Sequence, residues 1–321
     1  MRLWSNYTEI DEELKIVEDY VRKNTHSRNR LLEEVTADLV QAGGKRLRPA
    51  FTIIASKFGN YNREKTISIA AALEVLHSAT LVHDDIVDRS KLRRGKITVS
   101  EKYGADMAVY TGDFLFTKAV LMLSKNIDID KLEKVAIAIK AICEGEVDQF
   151  ECTFNLNTSV MSYLKRINRK TAVLFAAACG LGAMVSDCPL GVSRDLAKYG
   201  LCYGMAFQIR DDLNDFLSDT DTSGKPVGND LIKGTVTLPV IYAMNRNAAI
   251  KESISELFKK NGRSTPDEIA HITGLIEDSE SIEYSKRILN KYTDRGLKTL
   301  KRLPDNYYRS ILTELITALR Y

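Results

Sequence analysis

The sequence predicts an all-α protein, a bundle of roughly ten or more helices forming one domain over residues 1–321. Three observations carry that prediction. Apolar residues recur with the 3.6-residue period of a helix along most of the chain. No stretch shows convincing period-two alternation. The six prolines are spread thinly, and most fall at breaks between periodic stretches.

The elements follow in chain order. Ile10–Lys23 and Arg30–Gln41 carry apolar stripes, and a glycine–cation stretch, QAGGKRLR at Gln41–Arg48, breaks the pattern before Pro49. Lys65–Val87 is a long helix whose segment Ala70–Val82 (AAALEVLHSATLV) is almost entirely apolar, the mark of a buried helix. A second glycine–cation loop, RSKLRRGK at Arg89–Lys96, separates it from helices at Ala105–Ser124, Asp130–Gln149 and Ser159–Val185. The apolar run Ala172–Val185 is too short to cross a bilayer and reads as a core helix. After Pro189 comes Ser193–Leu217, then the third such loop, SDTDTSGKPVGNDLIKG at Ser218–Gly234. Val236–Asn245, Ile250–Lys260, Asp267–Asp278, Ile282–Leu300 and Tyr307–Arg320 complete the set, with Pro266 and Pro304 at breaks. In each loop glycine lets backbone N–H groups approach an anion while Lys or Arg supplies charge.

Composition narrows the function classes. Lys+Arg number 46 against 43 Asp+Glu, a net charge of +3 without a long basic run, so no nucleic-acid partner is expected. The N-terminal MRLWSNYTEIDEELK has acids where a signal peptide needs an apolar core, and a cytoplasmic location is expected. The five cysteines form no CxxC pair, and most lie in apolar or small-residue surroundings; they read as buried thiols rather than disulfides or a zinc site. None of the four histidines has the i, i+4 spacing of a metalloprotease helix.

The chemistry concentrates in two acidic clusters, HDDIVD at His83–Asp88 and RDDLND at Arg210–Asp215. Each has the form Asp-Asp-x-x-Asp: Asp84, Asp85 and Asp88, then Asp211, Asp212 and Asp215. Residues four apart share a helix face, so the first and last carboxylate of each cluster converge. A lone cluster of this kind reads best as a solvated helix end. Here both follow apolar helical stretches, and buried carboxylates need cations. Hard divalent ions suit them, and Mg²⁺ reaches onward to substrate phosphates.

With its neighbours included, the chain resembles the trans-isoprenyl diphosphate synthase (polyprenyl synthetase) family. GGKRLRP, LHSATLVHDDIVDRSKLRRG, GDFLF, EGEVDQ, RKTA, GMAFQIRDDLNDF, GKPVGND and TLPVIYA occur in the family's order, over roughly residues 30–245. The resemblance implies an isoprenoid synthase fold, helices around a central cavity, and head-to-tail condensation of an allylic diphosphate with isopentenyl diphosphate. It implies Mg²⁺, three ions per active site. Asp84, Asp88 and Asp211 would be direct ligands, with Asp212 and Asp215 completing the metal set and Asp85 among the catalytic residues. Lys45, Arg48, His77 and Arg94 fall where the family holds isopentenyl diphosphate without metal. Arg93, Lys170 and Lys225 fall where it holds the allylic diphosphate, and Thr171 and Gln208 would flank the developing allylic cation. A homodimer is the family's usual assembly, and a small partner subunit occurs in some heptaprenyl synthases.

The local readings stay beside these. Lys45, Arg46 and Arg48 also suit a helix C-terminus. His77, on an apolar helix, reads by itself as a core histidine, and only its place seven residues before Asp84 argues otherwise. Gln208 also suits a buried hydrogen bond, and the dipeptide Lys170–Thr171 is uninformative alone. One departure stands out: Thr235 occupies a position where many family members have lysine, and Lys233, two residues earlier, is its candidate substitute on the allylic diphosphate. Ala79 and Thr80, five and four residues before Asp84, would face the tail tunnel. The small alanine leaves room there. The expected product therefore has twenty carbons or more, with hexaprenyl to octaprenyl preferred, as for a quinone side chain. The rival readings are a class I terpene cyclase, which needs no second diphosphate site, a catalytic or regulatory subunit of a heteromeric synthase, and a helical interaction protein with a solvated acidic face.

Overall fold

The computed structural model describes residues 3–41, 43–217, 228–260 and 263–321. Its residues pack into two compact units, Met1–Ala136 with Ala177–Ala197, and Ile137–Ala176 with Lys198–Tyr321.

The first unit is organised by a helix that is apolar nearly all round. In chain order it contains α1 (Thr8–Asn24), α2 (Arg30–Gln41), α3 (Leu47–Ser56), α4 (Arg63–Val87), α5 (Val99–Tyr103) and α6 (Ala105–Ser124). The Asn62 side chain caps α4 by accepting from the Lys65 N–H at 3.0 Å. Ile67, Ile69, Leu73, Val75 and Leu76 of α4 are buried, packed among α6, α3 and α1. Such burial contributes about 1.5–3 kcal/mol per large aliphatic side chain. By length and composition α4 is the one described helix able to cross a membrane, yet most of it is buried inside the protein. Helix α3 was not expected, because Pro49 read as a break. Pro49 lies instead in the first helical turn, where its missing N–H costs nothing. Among the described residues the strands are β1 (Leu92–Arg93) and β2 (Lys96–Ile97), an antiparallel hairpin inside the second glycine–cation loop. Its turn residues Arg94 and Gly95 have φ of 53° and 76°, the conformation a two-residue hairpin of type I′ demands.

Three long helices, α7 (Ile129–Cys152), α9 (Val173–Val185) and α10 (Leu190–Leu217), contribute residues to both units. The second unit adds α8 (Val160–Ile167), then α11 (Asn229–Ile232), α12 (Leu238–Arg246), α13 (Ala248–Lys259), α14 (Pro266–Glu277), α15 (Ser281–Leu300) and α16 (Tyr307–Thr317). Sequence periodicity predicted one helix over Ser159–Val185. The structure interrupts it with a π-helical turn at Asn168–Ala172, where the Val173 N–H reaches back to the Asn168 carbonyl. Two glycines permit the tight packing around this turn. A Cβ on Gly204 of α10 would sit 2.6 Å from Ala172 Cα, and one on Gly145 of α7 would sit 2.9 Å from the Lys170 nitrogen. The thiols only partly follow expectation: Cys179 and Cys202 are buried, Cys152 and Cys188 half-buried and Cys143 exposed, all of them free.

Candidate active site

The first unit presents acids and cations from one stretch of α4. Asp84, Asp85 and Asp88 occupy its last turn and C-cap, with the Asp88 N–H donating to the Asp84 carbonyl at 2.8 Å. A helix C-terminus is the negative end of the macrodipole, so carboxylates there are disfavoured and cations favoured. No basic residue stands in the last turn of α4 or of α10, the two helices that carry the acidic clusters. Each triad, placed against its own helix dipole, is a donor set that suits a bound cation. Within the first, the roles divide. Asp85 is buried and accepts from Arg93 Nε at 2.7 Å, across the loop that the hairpin folds back. Asp84 is half-buried and Asp88 exposed.

Two turns earlier on α4, His77 sits in a cationic environment. Its pKa lies well below the ordinary histidine value, through burial first and then through the guanidiniums of Arg48, Arg94, Arg93 and Arg46. The imidazole is therefore neutral near pH 7. Arg46 is committed internally: it donates to Glu18 at 3.0 Å, to Glu74 at 2.6 Å and to the Val40 carbonyl at 3.2 Å. It fixes the loop in a left-handed residue with φ of 48°. Lys45, exposed, and Arg48, half-buried, flank it at the start of α3, and Arg94 donates to the Gly43 carbonyl. Of the expected set Lys45, Arg48, His77 and Arg94, the structure brings Arg48 and Arg94 to His77, with Arg93 and Arg46 beside them. Inorganic diphosphate entering this environment should raise the His77 pKa, because an anion favours imidazolium. Its NMR titration should move to higher pH, and an unmoved titration would remove the anion site.

On the same helix Ala79 is 1% exposed, and the Thr80 hydroxyl is spent on the His77 carbonyl at 2.8 Å. A cavity of about 350 Å³ beside α4 is lined by Val35, Leu39, Leu81, Val82, Val99 and Tyr103 with Arg93 and Arg94, and neither Ala79 nor Thr80 lines it.

The second unit places its cluster near the end of α10. Asp211 is exposed and Asp215 half-buried. Asp215 accepts the Asp230 N–H at 3.0 Å, which ties α11 to the cluster. Asp212, expected in the metal set, has other partners in this structure. It is buried, and both carboxylate oxygens already accept hydrogen bonds, from Tyr163 Oη at 2.6 Å and Gln208 Nε2 at 2.8 Å. Burial raises its pKa, helped by Asp211, while those two hydrogen bonds and Arg166 oppose the rise. The π turn delivers Lys170 and Thr171 side by side. Lys170 is paired with Glu146 of α7 at 2.8 Å, and Thr171 donates to Gln208 Oε1 at 2.7 Å. Beside Lys170, Arg169 pairs with Asp148 at 2.9 Å and with Glu144 at 3.2 Å. Lys233 is exposed just past α11. Lys225 lies outside the described residues.

Three residues escaped the sequence reading. Tyr163 carries no local motif. Glu146 lies in EGEVDQ, and the ion pair with Lys170 supplies the purpose that stretch lacked. Asp230 joins the second cluster, its pKa pushed well up by burial and then by Asp215, Asp212 and Asp211. Among the described residues no three His, Cys, Asp or Glu side chains form a ready metal cage. Mg²⁺ does not require one, because it binds through one or two carboxylates and completes its shell with water and phosphate oxygens. The donor set fits that habit.

Comparison with known proteins agrees with this chemistry. The polyprenyl synthetase family description matches residues 29–276. The chain is 36% identical to "Heptaprenyl diphosphate synthase component 2" of Geobacillus stearothermophilus, over 98% of this chain and 97% of that protein. It is 32% identical to octaprenyl diphosphate synthase of Escherichia coli, over 89% and 88%. Among solved structures it is similar to heptaprenyl diphosphate synthase from Staphylococcus aureus, with a TM-score of 0.91, 38% identity and 97% of each chain covered. It is also similar to geranylgeranyl pyrophosphate synthase from Lactobacillus brevis, with a TM-score of 0.92, 31% identity and 99% and 98% covered.

Proposed function

The chain belongs to the polyprenyl synthetase family, a prenyltransferase family with the all-α isoprenoid synthase fold, and from that membership we propose how its own residues run the reaction. The family joins an allylic diphosphate to isopentenyl diphosphate and uses a divalent metal to bind diphosphate. The proposed metal is Mg²⁺, three ions per site, with Asp84, Asp88 and Asp211 as ligands and Asp215 beside them. Bound Mg²⁺ supplies neutralisation of the charge that grows on the leaving diphosphate.

The observation that carries the reading is the composition of α4. A neutral histidine among arginines stands two turns before an acidic helix end. One helix thus offers a metal-free anion site and a metal site together. A chain elongator, with two diphosphates to hold, needs both; a terpene cyclase needs one. Lys45, Arg48, His77 and Arg94 hold isopentenyl diphosphate. Arg93, Lys170 and Lys225, with Lys233 in place of the lysine missing at Thr235, hold the allylic diphosphate. In this structure Arg93 and Lys170 are each parked on a carboxylate, Asp85 and Glu146, which keeps them extended for an incoming anion. Ionisation breaks the allylic C–O bond and leaves its electron pair on the diphosphate. The oxygens of Thr171 and Gln208 stabilise the resulting cation. The double bond of isopentenyl diphosphate forms the new C–C bond, and the proton it then loses passes to the departed diphosphate. No protein nucleophile or base is invoked.

The product is a trans-polyprenyl diphosphate of twenty carbons or more, with hexaprenyl to octaprenyl preferred, made in the cytoplasm. Tyr110 and Leu121, exposed on one face of α6, support a homodimer. The likeness to a heptaprenyl diphosphate synthase component 2 supports a second reading, in which the chain needs a small companion subunit. The test is to supply the purified chain with farnesyl diphosphate, isopentenyl diphosphate and Mg²⁺ and to size the products. Linear products from the chain alone fit the first reading. Silence relieved by a companion subunit fits the second, and a cyclic hydrocarbon formed from geranylgeranyl diphosphate alone would overturn both.

A further inference from the structure

We infer that Tyr163 is a positioning residue for ionisation of the allylic substrate, acting through Asp212 and Gln208 on Thr171; the inference rests on the reading above that Thr171 and Gln208 flank the cation. These four side chains form one chain of hydrogen bonds that converges on Asp212. Tyr163 Oη donates to Asp212 Oδ2 at 2.6 Å, Gln208 Nε2 donates to Asp212 Oδ1 at 2.8 Å, and Thr171 Oγ1 donates to Gln208 Oε1 at 2.7 Å. Tyr163, Asp212 and Thr171 are buried, at 0%, 6% and 7% exposure.

Direction is the point. A side-chain amide can present either its NH₂ or its oxygen to a neighbour, and a flipped amide fits almost the same space. An ionised carboxylate is acceptor-only, so Asp212 dictates that the NH₂ of Gln208 faces it. The amide oxygen is thereby turned to Thr171, which must spend its single hydroxyl hydrogen there. In every remaining direction Thr171 offers lone pairs. Were Gln208 flipped, its NH₂ would donate to Thr171 and the hydroxyl hydrogen would turn outward, toward the positive charge it is meant to stabilise. Fixed dipoles aimed before charge develops stabilise a transition state without reorganising during it.

Tyr163 secures Asp212 in this role. Its hydroxyl occupies the second carboxylate oxygen and so fixes the rotation of the group that orients Gln208. Tyr163 is itself held by burial and by Arg166, whose guanidinium lies 5.5 Å over the phenol ring while donating to the Val236 carbonyl at 2.7 Å. The other charged groups close to Asp212 are Asp211 and Asp230. Tyr163 touches no reacting atom in this scheme. Its effect passes entirely through the amide.

The experiment compares two ligands in calorimetry with Mg²⁺: an ammonium analogue of the allylic diphosphate, with nitrogen at the cationic carbon, and its uncharged carbon isostere. Tyr163→Phe should weaken the ammonium analogue roughly tenfold, the size of effect seen when a group that orients a ligand is lost. Binding of the isostere should stay unchanged. In turnover, kcat should fall by a similar factor while KM for both substrates holds. Equal weakening of both ligands, or of neither, would overturn the positioning role. Thr171→Val tests the underlying reading: if it keeps the full preference for the ammonium analogue, Thr171 is not beside the cation, whatever Tyr163 does. Should Tyr163→Phe fail to fold, Asp212→Asn carries the same test. It keeps the shape and removes the anion that dictates the amide's direction, so the same selective loss is expected and its absence is equally decisive.

Discussion

Asp84→Ala lowers turnover by roughly a hundredfold or more, the scale on which removing one element of transition-state electrostatics is felt. Asp84 lies in the last turn of α4 and Asp88 at its C-cap, where the macrodipole opposes negative charge. On the proposed reading, a fold that keeps carboxylates there gives up stability for a bound cation. Asp88→Ala should therefore act in opposite directions on two measurements. Activity falls with loss of a Mg²⁺ ligand, while thermal stability of the metal-free protein holds or rises by about 0.3–1 kcal/mol as an unfavourable charge leaves a helix end. Steady-state kinetics and a melting curve on the same preparation check both. Unchanged turnover in either variant would return the cluster to a solvated helix end.

The second large effect is on product length. Thr80→Phe should shift the products toward twenty carbons or fewer, read by chromatography of the dephosphorylated prenols. Ala79→Phe should do the same with an added cost. Ala79 is 1% exposed, so a phenyl ring there overfills a packed helix contact, at about 1–3 kcal/mol. Thr80 is half-buried, and its hydroxyl bonds only its own helix, so the larger side chain at 80 gives the cleaner test. A folded Thr80→Phe variant with an unchanged product distribution would remove α4 as the gauge of length.

What the sequence disclosed and what it withheld have physical reasons. Helices were legible because their apolar stripes are periodic, and the acidic clusters because four-residue spacing means a shared face. That spacing brought Asp84 and Asp88 together. It left open that Asp85, one position on, would turn into the protein to meet Arg93, since that depends on a hairpin whose two-residue turn requires Arg94 in a left-handed conformation. Asp212 reads as part of the metal set by its motif, and the structure gives it two donors, Tyr163 and Gln208. A tyrosine 49 positions away leaves no local signature. Glu146 was visible in a quoted motif without a role, because its partner Lys170 lies 24 residues on. The π turn was hidden for a different reason. The stretch after it, Val173–Val185, is apolar on all sides and carries no phase, so its register against the amphipathic Val160–Ile167 could not be read.

That slackened turn has a consequence for how the chain tolerates length changes. A π turn stores one residue more than regular winding needs, and each α-helical residue advances the helix by about 100°. Losing a single residue between Asn168 and Ala172 would let the segment wind as ordinary α-helix, at no cost in backbone hydrogen bonds. The two flanks would keep their angular relation, because the π turn covers about the same rotation with one residue more, but the residues inside the turn would be redistributed, and Lys170 would lose its place against Glu146 or Thr171 its place against Gln208. The surplus residue thus works as a spacer within the turn. It lets one continuous helix satisfy two packing faces that a uniform helix could not align with at once.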